Sequence, residues 1–543
     1  MSGRVREHGR RAVLLVFLWL AAAGSAPGAV RVADVRADVG LAGWFAPGKI
    51  TPLRVDLRSS VPFAGTLRVD VPSELRGGAP VTHLLPLQLP AGERHQAHVD
   101  IVVRDPRRPL LITLRDGRGE RLRQEVPLGV RRVVDGVVAA LTHEAAGLEF
   151  LSGVDEKRRP AYIAEDTLPV RWQAYEAVDL LVIRDLDPRA VAPAQAQALV
   201  EWIAQGGRLL VVAPQRLLLA EARWLRDLLP ADEGQAYGRG WVAVSTEDLF
   251  APALRGRGAL RERVTTLLAR AAPASVAQPV LADILPATRP LPGATQFGLA
   301  ALSVLYILAL RGVLPHVPTW RGGWIGLALI VAIATAAMYG VAAGARSAAT
   351  SLAQLSVAEA LGTLPSARVV TYASVIAPYG GRFRVRVPGG IEARPQNGGG
   401  VTIDAGRREI SGAAADGQVL LVARQIVPLQ LQVRWSPTGA VTIGRGGVRL
   451  QHAVLYRRRQ LYRLSSDLGA TVTLDPARWE PVDRPGALDL DIAGRALDVL
   501  FRQLDRTGDT TWLVAQTDDD RFGLRTTRGA SGEAVRLVVT EVR

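Results

Sequence analysis

Apolar and polar positions alternate with period two through the early part of the chain. Thr51–Arg58 (Thr-Pro-Leu-Arg-Val-Asp-Leu-Arg) and Gly65–Val71 both show it, as half-buried strands do. His98–Arg104 and Leu110–Arg115 continue the series, and Pro47–Gly48, Gly77–Gly78, Ala91–Gly92 and Asp116–Gly117 supply turns between them. Several short strands with turn signals at this spacing predict an immunoglobulin-like β-sandwich over 30–130.

The period then changes. Val133–Leu141, Ala161–Ala164 and Asp179–Arg184 read as buried strands, and Arg208–Ala213 as another. Between the last two, Ala196, Leu199, Val200 and Ile203 recur at helical spacing and predict a helix over Pro193–Gln205. Gly206–Gly207 ends it, because glycine takes the left-handed cap conformation at little cost. Tyr237–Ser245 reads as a turn and strand, and Glu262–Ala272 as a helix. Alternating strands and helices predict a parallel sheet covered on both faces over 131–272. Pro273–Pro292, rich in Ala and Pro, reads as a linker.

Two apolar runs follow. No charged residue falls between Pro290 and Leu310 or between Gly322 and Ala345. A bilayer core of roughly 30 Å takes about 20 residues of helix, so the runs predict transmembrane helices at 293–314 and 322–345, joined by a loop at 315–321. Arg311 and Arg321 flank that loop and favour a cytoplasmic position for it. At the start of the chain, Arg4, Arg6, Arg10 and Arg11 precede the apolar run Ala12–Ala23 and small residues up to Ala29, which predicts a signal peptide over 1–29. Together these features predict a membrane protein with both large flanks on the extracytoplasmic side; the resemblance given below implies a bacterial inner membrane. In the last segment, 346–543, Leu352–Leu361 reads as a helix and the remainder as strands of a periplasmic β-rich domain. Arg457–Arg459 falls at a solvated hairpin tip.

Composition narrows the chemistry. The chain has 543 residues, a formal charge of +15 and no cysteine, which excludes disulfides, thiol nucleophiles and thiolate metal sites. Lys49 and Lys157 are the only lysines, and the arginines are spread through every segment. That dispersal suits attraction to a membrane surface better than a nucleic-acid interface. The expected partners are envelope or membrane proteins and membrane lipid, with no nucleic acid. His95 and His98 stand three apart on a predicted strand and so point to opposite faces, a poor metal pair. Asp518–Asp520 lacks the glycine-punctuated spacing of a calcium loop.

The runs Leu168–Pro169, Val178–Ile183 and Ala198–Val212 resemble the class I glutamine-amidotransferase-like domain. They are similar to bacterial inner-membrane proteins that export such a domain beside β-sandwiches. The resemblance implies a flavodoxin-like α/β fold and a genomic context of MoxR-type ATPases and von Willebrand-type adhesion proteins. It also implies a cysteine nucleophile on the turn after a central strand. Here that turn reads Ala213-Pro214-Gln215, so the usual chemistry is absent. The expected fold is a multidomain membrane protein: β-sandwich, flavodoxin-like amidotransferase-like α/β domain, two transmembrane helices and a C-terminal β-rich domain. No catalytic, cofactor or metal residue is expected. Open parallel sheets receive ligands at the carboxyl ends of their strands, and the residues there are Thr142, His143, Glu144, Asp185, Asp187 and Gln215. The expected function is a non-enzymatic scaffold for envelope partners; a periplasmic ligand sensor using that crevice, or a hydrolase built on His143 with Glu144 or Asp185, is the alternative.

Overall fold

The computed structural model describes residues 34–73, 78–128, 136–142, 151, 158–184, 190–212, 223–230, 234–245, 254–270, 275, 281, 285, 293–313, 323–346, 351–362, 364–377, 382–386, 392–395, 400–413, 418–436, 440–464, 471–474, 479–482, 491–505, 510–526 and 534–542. The expected signal peptide and the 315–321 loop lie outside these residues.

The alternating N-terminal segment forms β1 (Asp34–Val39), β2 (Ile50–Arg58), β3 (Phe63–Val71), β4 (Val81–Leu89), β5 (Arg94–Val102), β6 (Leu110–Asp116) and β7 (Gly119–Val126). β1, β2 and β5 make a small antiparallel sheet. Its inward residues Leu53, Val55, Val99 and Ile101 close a core with Leu67, Val69, Ile112 and Leu114 of β3 and β6.

The next segment supplies β8 (Gly136–Leu141), β9 (Arg158–Ile163), β10 (Val178–Arg184), α1 (Pro193–Ala204), β11 (Arg208–Val212), β12 (Gly234–Tyr237), β13 (Gly240–Ser245) and α2 (Leu254–Ala269). Their sheet runs in the order β12-β13-β11-β10-β8-β9, all parallel except the β12 edge. On one face Leu181, Ile183 and Val211 pack with Leu199 and Ile203 of α1. On the other, Leu180, Val182 and Leu210 pack with Leu260, Val264 and Leu267 of α2.

Two apolar helices follow, α3 (Gly293–Val313) and α4 (Gly323–Arg346). They touch through Ser303 Oγ and Met338 Sδ at 3.9 Å, and they expose Phe297, Leu305, Ile325 and Ile333. Among the described residues no helix is long and apolar enough to cross a membrane. This overturns the expected transmembrane pair at 293–314 and 322–345, and with it the inner-membrane placement.

The last segment carries β14 (Ser351–Ala360), β15 (Ser366–Ile376), β16 (Arg382–Arg386), β17 (Glu392–Pro395), β18 (Val401–Asp404), β19 (Glu409–Ala413), β20 (Gln418–Pro428), β21 (Gln430–Trp435), β22 (Val441–Gly446), β23 (Gln451–Arg457), β24 (Gln460–Arg463), β25 (Thr471–Leu474), β26 (Glu480–Val482), α5 (Asp491–Leu504), β27 (Trp512–Gln516), β28 (Arg525–Thr526) and β29 (Ala534–Glu541). The helix expected at Leu352–Leu361 is strand β14. Its Ala, Leu, Gln and Glu content favours helix locally, but it is paired on both edges, with β15 and β29, and buried along nearly its whole length. Arg458 and Arg459, at φ 48 and 66, turn the β23–β24 hairpin.

The two β-rich ends of the chain are not separate domains. β4 pairs with β18 in parallel, Val81 with Val401 through Leu84 with Asp404. This makes one eight-stranded sheet, β28-β16-β19-β18-β4-β3-β6-β7. One half of it covers the small N-terminal sheet. The other half, through Phe383, Val385 and Ile410, packs on Val375, Leu421 and Ala423 of a nine-stranded sheet, β17-β20-β15-β14-β29-β27-β23-β24-β26. The expected serial arrangement of sandwich, α/β domain, membrane helices and β-rich domain is therefore replaced by a predominantly β body whose sheets are shared between the chain's ends.

His83 sits at the seam, opposite Ile403. Burial pushes its imidazole pKa down from 6.5 to about 4, with Asp70 pulling upward and Arg171 downward. The ring is neutral in the fold, while the unfolded chain takes up a proton below about pH 6.5. Its contribution is complete above that pH and is lost as pH falls toward about 4, a decline of roughly 2–3 kcal/mol. Urea unfolding midpoints measured between about pH 7 and pH 4.5 are expected to fall in the wild type and to fall less in His83→Gln. Equal slopes would remove His83 as the source.

Candidate functional site

Burying charge is costly unless it is partnered, so buried ionisable groups mark the places that do more than fill space. Beside Asp56, Asp70, His83 and Glu165, the buried groups Arg184 and Glu359 mark two such places among the described residues.

The first is the carboxyl edge of the parallel sheet. Leu141 is level with Ile183, and Arg184 with Val212, which is level in turn with Ser245. Thr142 follows Leu141 and lies one step on, beside Arg184. Successive side chains alternate faces, and Val138, Ala140, Leu180, Val182, Leu210, Val212 and Ala243 share the α2 face. Thr142, Arg184 and Ser245 therefore end their strands on that same face. All three are buried, Arg184 at 2% exposure. From α2, Arg263 Nη1 donates to the Val244 carbonyl oxygen at 2.8 Å, which fixes a second guanidinium at this edge. Strand order places the switch point between β8 and β10, since β9 lies to one side of β8 and the later strands to the other. Thr142 and Arg184 flank that point.

The second place joins all three segments. Glu176, at the end of the helical turn Trp172–Tyr175, accepts from the Ile50 backbone N–H at 2.9 Å through Oε2. Through Oε1 it pairs with Arg424 at 2.8 Å. Nearby, Arg239 pairs with Glu359, whose side chain is 4% exposed. Ser275 Oγ donates to Glu359 Oε1 at 3.0 Å. Glu359 lies across from Arg368 in the β14–β15 register. Burial pushes the Arg368 guanidinium down to about 10, against the opposite pull of Glu359, while Arg424 and Arg239 add to the downward shift. Burial also raises the Tyr372 phenol, which shares this face of the sheet. Apolar contacts close the same junction: Leu41 and Trp44 from the N-terminal segment and Ile426 from β20 all pack on the core of the parallel sheet. At its rim Arg171 reaches Asp100 at 3.4 Å; burial raises the Asp100 carboxyl while Arg171 draws it down.

The hairpin β12–β13 carries Arg239 into position. Gly238 adopts φ +62, and Arg239 N–H donates to the Ala204 carbonyl at 2.8 Å, docking the turn on the end of α1.

Of the residues the sequence pointed to, the structure places Thr142 at the end of β8. His143, Glu144, Asp185, Asp187 and Gln215 lie outside the described residues. Arg184 was passed over as a strand end, although a charge closing an apolar strand was a legible signal. The members of the junction gave none, because Glu176 and Arg424 are 248 positions apart. Asp519 and Asp520 are engaged by Arg521 and Arg536 at 2.5 and 2.8 Å.

Comparison with known proteins adds little to this geometry. Residues 33–129 match a family described as a domain of unknown function (DUF8726). No curated protein matches. Among solved structures, the chain is similar to a cycloisomaltooligosaccharide glucanotransferase from Paenibacillus sp. complexed with cycloisomaltoheptaose. That likeness has 10% identity and a TM-score of 0.14, covering 33% of this chain and 28% of that one. The matched family lies in the N-terminal sheets, and the predominantly β body does not support the glutamine-amidotransferase-like reading of 131–272.

Proposed function

We propose that this chain is a non-enzymatic binding protein, which holds β-sheet surfaces in fixed relation for a protein partner. The observation that supports the reading is Glu176, tied at once to the Ile50 backbone and to Arg424. One carboxylate in the middle segment thereby fastens the N-terminal sheets to the nine-stranded sheet. A protein that must present surface from distant parts of its chain needs such fastening, because ordering flexible surfaces during binding costs affinity.

The test is crosslinking of the full chain in the cells that make it, with mass-spectrometric identification and mapping of the crosslinked residues. A reproducible stoichiometric partner is expected, with crosslinks falling on one contiguous face. Its recovery is expected to drop severalfold in Glu176→Ala at equal protein level. Recovery of the chain alone, or crosslinks scattered over every face, would overturn the reading.

A further inference from the structure

We propose that the tip of the β23–β24 hairpin and the aromatic rings beside it form the docking surface for an acidic segment of a protein partner. The inference rests on the partner-binding reading and names its surface and the chemistry of the partner. Arg457 pairs with Gln460 in register, so Arg458 and Arg459 are the two central residues of the turn. Both take positive φ, 48 and 66, the type I′ geometry that Asn-Gly fits and that a long side chain adopts at a cost. The turn thus gives up stability to present two exposed guanidinium groups, and strain of this kind persists where a function uses it. Among the described residues neither has a carboxylate partner. Arg457 adds a third charge at the foot of the turn. Its guanidinium stands 5.0 Å from the centre of the Trp435 ring, a cation–π contact that fixes its direction. The rings of Trp435, Trp479 and Tyr462 continue from there, with successive centroids 6.0 and 5.3 Å apart. All three are half-buried on the core between the sheet β21-β22-β25 and the nine-stranded sheet. The Tyr462 hydroxyl donates to Gln460 Oε1, which ties the rings to the turn. Half-buried Trp and Tyr bordered by Arg is the composition from which the strongest contacts of protein interfaces are made. Carboxylates match guanidinium in paired hydrogen bonds, and arginine clusters read acidic motifs. A second copy of the chain is the wrong occupant, because its formal charge is +15 and like charges across an interface repel. An anionic membrane fits less well, because it draws loose clusters of about 4–8 basic residues, whereas these arginines are held by a turn and a stacked ring.

Fluorescence anisotropy of the purified full chain with a labelled peptide of alternating glutamate and leucine tests it. A lysine–leucine peptide and vesicles of phosphatidylserine with phosphatidylcholine serve as comparisons. Saturable binding of the glutamate peptide alone is expected, weakening as salt is raised. Arg458→Asn combined with Arg459→Gly supplies the residues a type I′ turn prefers. The double variant is therefore expected to unfold at a slightly higher urea concentration while binding the peptide about tenfold more weakly. A turn with a purely structural role would not move stability and binding in opposite directions. Failure of the wild type to bind the glutamate peptide, equal binding by the double variant, or preference for the vesicles overturns the inference. In cellular crosslinking, a partner recovered undiminished by the double variant overturns this inference and leaves the partner-binding reading standing. No partner from the wild type removes both.

Discussion

Replacing Glu359 with alanine is expected to lower the unfolding free energy by about 3–5 kcal/mol, the usual cost of removing one member of a buried ion pair. Glu359 is 4% exposed and Arg239 is 10% exposed, so water cannot replace the lost carboxylate. The substitution leaves more than one cation behind, because Arg368 faces Glu359 across the β14–β15 register and has already been shifted downward by burial. Ser275 also loses its acceptor. Urea unfolding of the full chain measures the effect. Replacing both Glu359 and Arg239 by leucine is expected to recover a substantial part of the loss, since an apolar pair carries no desolvation penalty. If Glu359→Ala shifts the midpoint no more than an exposed substitution does, the junction is not what holds the segments together.

Gly240→Ala is expected to destabilise the protein by about 3 kcal/mol or more, at the upper end of overpacking costs. A Cβ there would lie 2.0 Å from the Ile203 carbonyl oxygen and 2.4 Å from that of Gly207. Both atoms are backbone, so relief requires moving the end of α1 away from the β12–β13 hairpin. That hairpin carries Arg239, so the substitution is also expected to loosen the Arg239–Glu359 pair. The two predictions are therefore coupled, and Gly240→Ala combined with Glu359→Ala should cost less than the sum of their separate effects. Gly117 provides the control: a Cβ there meets nothing within 4 Å, and Gly117→Ala is expected to change stability by no more than about 0.5 kcal/mol. Thermal and urea unfolding of the three variants decide the matter.

Local elements were legible wherever one face of a segment was buried and the other was not. The alternation in Thr51–Arg58 and Gly65–Val71 appears as β2 and β3. The helical spacing of Ala196, Leu199 and Ile203 appears as α1, with Gly206 at φ 123 just beyond its end. Legibility failed at β14, where both faces are covered and no alternation remains to be seen, so intrinsic helix propensity gave the wrong answer. It failed differently at α3 and α4: an uncharged run reads as a membrane span by length and absence of charge alone, whereas among the described residues no helix is long and apolar enough to cross a membrane. At the carboxyl edge of the parallel sheet, Thr142 and Arg184 both lie buried at strand ends, a placement set by the packing of the whole sheet and not by the local pattern of β8 or β10.

The chain's own periodicities determined which segments extend and which coil, because those preferences act between residues a few positions apart. Only the tertiary structure decided that β4 pairs with β18, that Glu359 meets Arg239, and that Glu176 reaches both Ile50 and Arg424. An alternating strand offers the same backbone hydrogen bonds to any partner of matching pattern, so the choice among many eligible strands rests on burial over the whole body. The value of a buried charge likewise depends on which distant group arrives to meet it, and no local stretch of sequence carries that information.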